Sequence, residues 1–136
     1  PEDVLVGSSE RDRHRTSERR SEEVMARRAK PPQSAVNAAK KALRWRDEHG
    51  RDQVKGATRV GWTRANQLAR GDELTEETVR RMAAFYRHRK NATVAEQYKA
   101  TPWRDRGYVA WLTWGGTTGV NWARRKVAQW NKEDGR

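Results

Sequence analysis

An all-α fold is predicted for this 136-residue chain: a compact domain of about five short helices preceded by an extended N-terminal arm. Three observations carry the prediction. From residue 34 onwards apolar residues recur at intervals of three and four, and no segment alternates apolar with polar positions as a half-buried strand does. Glycines punctuate those runs at helix-like lengths, at His49-Gly50, Gly71 and Gly115-Gly116. Residues 1–33 hold only the patches Val4-Leu5-Val6 and Val24-Met25 among Ser, Arg, Glu and Asp, too little apolar surface to offset their ordering entropy. The chain thus divides into an arm, 1–33, ordered only on a partner, and a basic, Trp-rich helical domain, 34–136.

Within the arm a transient helix is conceivable over 21–29, and Pro31-Pro32 ends it. Ser34 is the expected N-cap of the first domain helix, whose apolar positions Val36, Ala39, Leu43 and Trp45 lead to a stop at Gly50. Residues 51–58 read as polar loop. A short helix follows over 62–70, with Trp62, Ala65, Leu68 and Ala69 on one side. The clearest helix starts behind Thr75, carries Glu76 and Glu77 in its first turn, and closes on Arg87, His88, Arg89 and Lys90. That charge order matches the helix dipole at both ends. Val79, Met82, Ala83 and Tyr86 form its apolar stripe. A helical turn is expected near 94–98, then a nearly all-apolar helix over 108–114. Thr118 is the expected cap of a last helix reaching Asn131, with Val120, Ala123, Val127 and Trp130 on one face.

Composition narrows the function. Cysteine is absent, which excludes thiolate catalysis, disulfides and Cys-ligated zinc. No apolar run approaches the roughly 18–20 residues of a membrane-spanning helix, so no membrane role is expected. Isoleucine is missing and phenylalanine occurs once, but there are seven tryptophans, and each large aromatic buries about 150–250 Å². The series Trp103, Tyr108, Trp111, Trp114, Trp122 and Trp130 therefore reads as core before it reads as a base-stacking platform.

The net charge is +12, from 30 Lys and Arg against 18 Asp and Glu. The arm contributes +1 of this and residues 34–71 contribute +6, so the basic field belongs to the folded helices. Its candidate partner-binding residues are Lys40, Lys41, Arg44, Arg46, Arg51, Lys55, Arg59, Arg64 and Arg70. Such a field favours a polyanion or an acidic protein surface.

Other motifs are weaker. The segment 63–71 followed by 75–90 suggests a helix-turn-helix, but Asp72, Glu73, Glu76 and Glu77 crowd the start of the would-be recognition helix. The connection Gly71–Leu74 is also long for that motif. His14, His49 and His88 have neither metal-ligand spacing nor an orienting carboxylate, and Ser8, Ser9 and Ser17 have no base in reach. The glycines around 115–119 lack the Lys-Ser/Thr of a phosphate-binding loop. No enzyme activity and no cofactor are expected.

One group of residues resembles a known pattern. It runs Arg64-Ala65-x-Gln67-Leu68-Ala69-x-Gly71, Leu74-Thr75-x-x-Thr78-Val79-x-Arg81-Met82, Phe85, His88, then Gly107-Tyr108-Val109-Ala110-Trp111-x-x-Trp114-Gly115-Gly116 and Trp122-Ala123. This order is similar to a small helical domain recurring in tailed-bacteriophage and prophage proteins, often appended to head-associated ones. The resemblance covers about residues 34–130, and Trp-x-x-Trp-Gly-Gly is its most distinctive element. It departs where Arg89-Lys90 and Thr117 stand at positions that are often acidic in the pattern. It implies a virion or head-assembly association and supplies no activity.

The resulting expectation is a phage virion structural protein: a minor capsid, decoration or cement component, present in the virion and in the host cytoplasm during assembly. Its basic face would dock on the major capsid protein or another virion protein in many symmetric copies. The arm, reaching up to about 3.3 Å per residue, would bridge subunits through the anchor Val4, Leu5 and Val6. The alternative is a nucleic-acid-binding protein packaged with DNA in the head, and a third reading is a helical adaptor in prohead assembly.

Overall fold

The computed structural model describes residues 27–135, which form five α-helices, short 3-10 turns and a two-residue antiparallel ladder. The anchor Val4–Val6, His14 and the first part of the transient helix lie outside the described residues.

The folded unit begins earlier than the charge pattern suggests. Strand β1, Arg28–Ala29, pairs with β2, Leu74–Thr75, in the register Arg28 to Thr75 and Ala29 to Leu74. Ala29 and Pro31 are buried, and the amide of Glu76 donates to the carbonyl of Arg27 at 3.2 Å. The boundary at residue 33 is therefore corrected: residues 27–33 belong to the domain. The described end of the expected transient helix is extended instead. Such short pairing leaves no alternating pattern, because two residues are too few to show a period of two.

Helix α1, Gln33–His49, starts one residue before its expected cap, behind Pro32 held extended; Ser34 lies inside it. It buries Ala35, Val36, Ala39, Ala42 and Trp45, one face at helical spacing. Gly50 ends it at φ 83°, a conformation that favours glycine. Helix α2, Arg59–Ala69, begins three residues before the expected start because the Thr58 hydroxyl caps it, accepting from the Gly61 amide at 3.2 Å. Helix α3, Glu76–Ala84, is capped by Thr75 as expected. It is shorter than its pattern, however. From Phe85 to Ala92 the backbone tightens into 3-10 turns broken at His88, and the Phe85 ring stacks on Trp114 and Trp111 at 5.2 and 6.0 Å. Short 3-10 turns at Glu96–Tyr98 and Pro102–Arg104 lead to α4, Arg106–Thr113, capped by Asp105.

Helix α5, Gly116–Glu133, follows almost without a loop, and Thr118 falls inside it. Gly115 at φ 103° and Gly116 at φ 67° make that sharp connection. The same segment needs glycine for packing: a Cβ on Gly119 would lie 2.9 Å from Ala35 Cβ, and one on Gly116 3.1 Å from Ala38 Cβ. Helices α1 and α5 thus cross through an Ala-on-Gly contact.

Two apolar clusters fill the interior. Ala39, Leu68, Leu74, Val79, Met82, Trp114, Ala123 and Trp130 form the larger; Ala42, Trp45, Val54, Val109 and Leu112 form the smaller, and Trp62 packs against both. Trp45, Trp111, Trp114 and Trp130 are buried and Trp62, Trp103 and Trp122 partly so, which agrees with the core reading. The Trp-x-x-Trp-Gly-Gly element is therefore architectural. Trp111 and Trp114 fill the interior, the Trp111 indole donates to Thr117 Oγ1 at 3.0 Å, and the glycines turn the chain into α5.

Candidate anion-binding surface

The nine predicted basic residues separate into three kinds. Lys40 and Arg44 project from α1 one turn apart, with Arg51 and Lys55 in the following loop and Arg59 at the start of α2; all five are exposed. Arg44 has a loose partner, Glu48 at 3.8 Å, and the exposed Arg70 pairs with Asp72 at 2.9 Å. Exposed pairs of this kind contribute about 0–1 kcal/mol and yield readily to a partner.

Lys41 and Arg46 lie on aromatic rings instead. The Lys41 ammonium sits 5.0 Å from the Trp45 ring centre and 5.6 Å from that of Tyr108, and Arg46 lies 4.1 Å from Trp62. Burial and then the nearby Arg51 charge lower the Arg46 pKa, so two guanidinium groups crowd one corner of the domain.

Arg64 is corrected. It is 7% exposed, its guanidinium lies over Trp114 at 5.1 Å, and it donates to Gln67 Oε1 and to Thr78 Oγ1. Its Nε has no partner, and burial foremost, with Arg81 next, lowers its pKa. A side chain packed this way supports α2 against the core and presents no charge to a partner. The helical pattern could not reveal this, since long basic side chains fit the rim of an apolar stripe as well as its exposed face.

The acids weighed against a groove-reading helix are mostly occupied internally. Glu76 is 2% exposed; its two oxygens accept from Arg27 at 2.9 Å and Arg80 at 3.0 Å. Glu77 pairs with Arg81, and Asp72 with Arg70. Helix α3 nevertheless buries Glu76, Thr78, Val79 and Met82 in the core, which leaves little of it to enter a groove.

Two cationic groups arise only in three dimensions. The first is a polar cleft of about 330 Å³ lined by Asp52, Gln53, Lys55, Tyr98, Arg104 and Arg106. Arg104 Nε donates to Gln53 Oε1 at 2.9 Å. Asp105, buried behind the cleft, accepts from the amides of Ala95 at 2.8 Å and Tyr108 at 3.1 Å, tying the preceding turns to α4. Gly56 lets the loop close on this helix, since a Cβ there would meet the Arg106 carbonyl at 2.5 Å. The second group surrounds Tyr86. Arg124 and Arg89 both lie over its ring, at 3.6 and 4.6 Å, and Arg124, Arg125, Asn121 and Ala128 line a shallow hollow of about 370 Å³.

Among the described residues, no carboxylate lies within ion-pair distance of Lys40, Arg51, Lys55, Arg59, Arg89, Arg104, Arg106, Arg124 or Arg125. Arg89, Arg104, Arg106, Arg124 and Arg125 were not predicted as partner-binding residues. In sequence the first three lie among the six acids of residues 72–107, and the run Arg124-Arg125-Lys126 is the one signal for the last two.

His49 stacks on Trp103 at 3.8 Å, His88 accepts from Arg87 Nε at 3.2 Å, and among the described residues no hydroxyl bonds to either ring. No three His, Asp or Glu side chains gather as metal ligands there, and no described helix is long and apolar enough to cross a membrane. No protein-family model, curated protein or solved structure matches the chain.

Proposed function

We propose that this protein is a structural component of a tailed-phage virion, a minor capsid or cement protein that docks by its cationic surface on an acidic protein lattice. The segment before Arg27 acts as the bridging arm. One observation carries the docking: Lys40, Arg51 and Arg59 are exposed without a carboxylate partner among the described residues, so an external anionic surface gains their charge without breaking an internal pair. The phage setting rests on the resemblance of the Trp-x-x-Trp-Gly-Gly pattern. The test is mass spectrometry of purified particles before and after DNA is ejected. The wild-type chain stays with emptied shells, and Lys40→Glu/Arg51→Glu/Arg59→Glu is lost from them, as is a chain lacking residues 1–26. Loss of the wild type together with the DNA overturns the proposal.

The second reading, a DNA-binding head protein, is favoured by the Tyr86 group, where two guanidinium groups gather over one aromatic ring. It predicts DNA affinity retained at about 0.2 M salt with a steep log–log salt slope.

A further inference from the structure

We infer that the cleft between the loop after α1 and the start of α4 is a binding site for a phosphate group. Three cations enter it from separate segments: Lys55 from the loop, Arg104 from a 3-10 turn and Arg106 from the first position of α4. The Tyr98 side chain and the Gln53 amide add neutral hydrogen-bonding groups, and Asp52 is the one acid in the lining. The lining is almost wholly polar, which disfavours an apolar ligand. Among the described residues no carboxylate lies within ion-pair distance of Lys55, Arg104 or Arg106, so their charge is open to an external anion. An anion that accepts from several directions is held there by charge-assisted hydrogen bonds.

Shape selects among anions. The broad face of a folded acidic protein cannot enter a concavity of about 330 Å³, whereas a phosphate projecting from a nucleotide or a nucleic-acid strand can. A carboxylate offers two oxygens in one plane, matched to one guanidinium, while a tetrahedral phosphorus spreads its oxygens out of that plane, three of them free on a terminal phosphate and two on a strand diester, towards donors arriving from separate segments. The site is also partly preorganised. Gln53 holds the Arg104 side chain, Asp105 fixes the backbone on either side, and Gly56 sets the closeness of the loop. Lys40, Arg51 and Arg59, assigned above to lattice docking, do not line the cleft, so either assignment can fail without the other.

The experiment is an NMR titration of the isotope-labelled full-length chain with inorganic pyrophosphate at constant ionic strength, with acetate as the comparison anion. Saturable shifts confined to the amides of 52–56, 98 and 104–106 and to the Arg104 and Arg106 Nε resonances are expected. Arg104→Gln/Arg106→Gln weakens binding about tenfold or more with an unchanged melting temperature, and Lys55→Gln in the exposed loop provides an independent second variant. A short single-stranded oligonucleotide that shifts the same resonances at lower concentration assigns the phosphate to nucleic acid; pyrophosphate binding alone assigns it to a small phosphorylated ligand. Shifts that do not saturate, equal shifts with acetate, or unchanged affinity in both variants overturn the site.

Discussion

Replacing Arg27 by alanine is expected to destabilise the domain by about 2 kcal/mol at neutral pH, although the residue sits at the edge of the fold. Its guanidinium joins the start of α3 to the chain segment that follows α5. Nη1 donates to Glu76 Oε1 at 2.9 Å at the start of α3, and both terminal nitrogens reach the Asp134 carboxylate beyond α5 at 2.8 and 2.5 Å. The Glu76 side chain is 3% exposed, so removing Arg27 strips a buried carboxylate of one of its two cations. Breaking a buried pair costs about 3–5 kcal/mol when the remaining charge is left alone. Here Arg80 still holds the other oxygen at 3.0 Å and Arg27 is itself one-quarter exposed, which brings the figure down to about 2 kcal/mol. For a folded unit of this size that is a fall of about 8–16 °C in melting temperature.

The pH dependence has a definite sign. Burial alone would raise the Glu76 pKa, but the hydrogen bonds from Arg27 and Arg80 outweigh it and hold the carboxyl below its ordinary value. A depressed folded-state pKa stabilises the fold above the unfolded value, near 4.3, and that contribution is lost as pH falls through the folded value. The gap between wild type and Arg27→Ala is therefore widest near pH 7 and narrows below about pH 4 as the carboxylates protonate. Urea unfolding of the full-length chain at pH 7 and pH 3.5 measures both, and a cycle with Glu76→Gln isolates the pair. A loss below about 0.5 kcal/mol at pH 7, or one that does not narrow in acid, refutes the reasoning.

Asp105→Ala removes a helix cap and a partner of the Ala95 amide, so a loss of about 2–3 kcal/mol is expected in a thermal melt. Gly56→Ala places a Cβ 2.5 Å from the Arg106 carbonyl, which is backbone, and costs about 2 kcal/mol or more. Gly107→Ala meets the Asn91 side chain at 2.6 Å, which can rotate away, and costs under about 1 kcal/mol. Equal losses at the two glycines by urea unfolding would contradict this packing. Arg64→Met keeps the contact over Trp114 and removes the unpartnered Nε, so stability within about 1 kcal/mol of wild type and unchanged particle attachment are expected. Loss of attachment by a folded Arg64→Met would return Arg64 to the docking surface.

Much of the helical architecture was legible in the residues alone because its determinants are local. Thr75 with Glu76 and Glu77 defines a helix start through capping and dipole, Gly50 and Gly71 mark stops, and the tryptophans after residue 60 announce a core that few aliphatics could supply. Misplaced boundaries had non-local causes. Helix α3 ends early where Phe85 turns onto Trp111 and Trp114, and α5 starts early because Gly115 and Gly116 can turn where Gly119 must approach Ala35. Residues 27–33 joined the domain through a two-residue ladder and an Arg27 clamp to Glu76 and Asp134, contacts between positions far apart in the chain. The same distinction governs the charge. Counting along the chain gave its sign and put its surplus on the folded helices. Only tertiary packing decided which cations remain available, burying Arg64, laying Lys41 and Arg46 on aromatic rings, and gathering Lys55, Arg104 and Arg106 around one cleft. Periodicity records which face of a helix is apolar; it carries no information about which distant side chain will neutralise or join a charge on the other face.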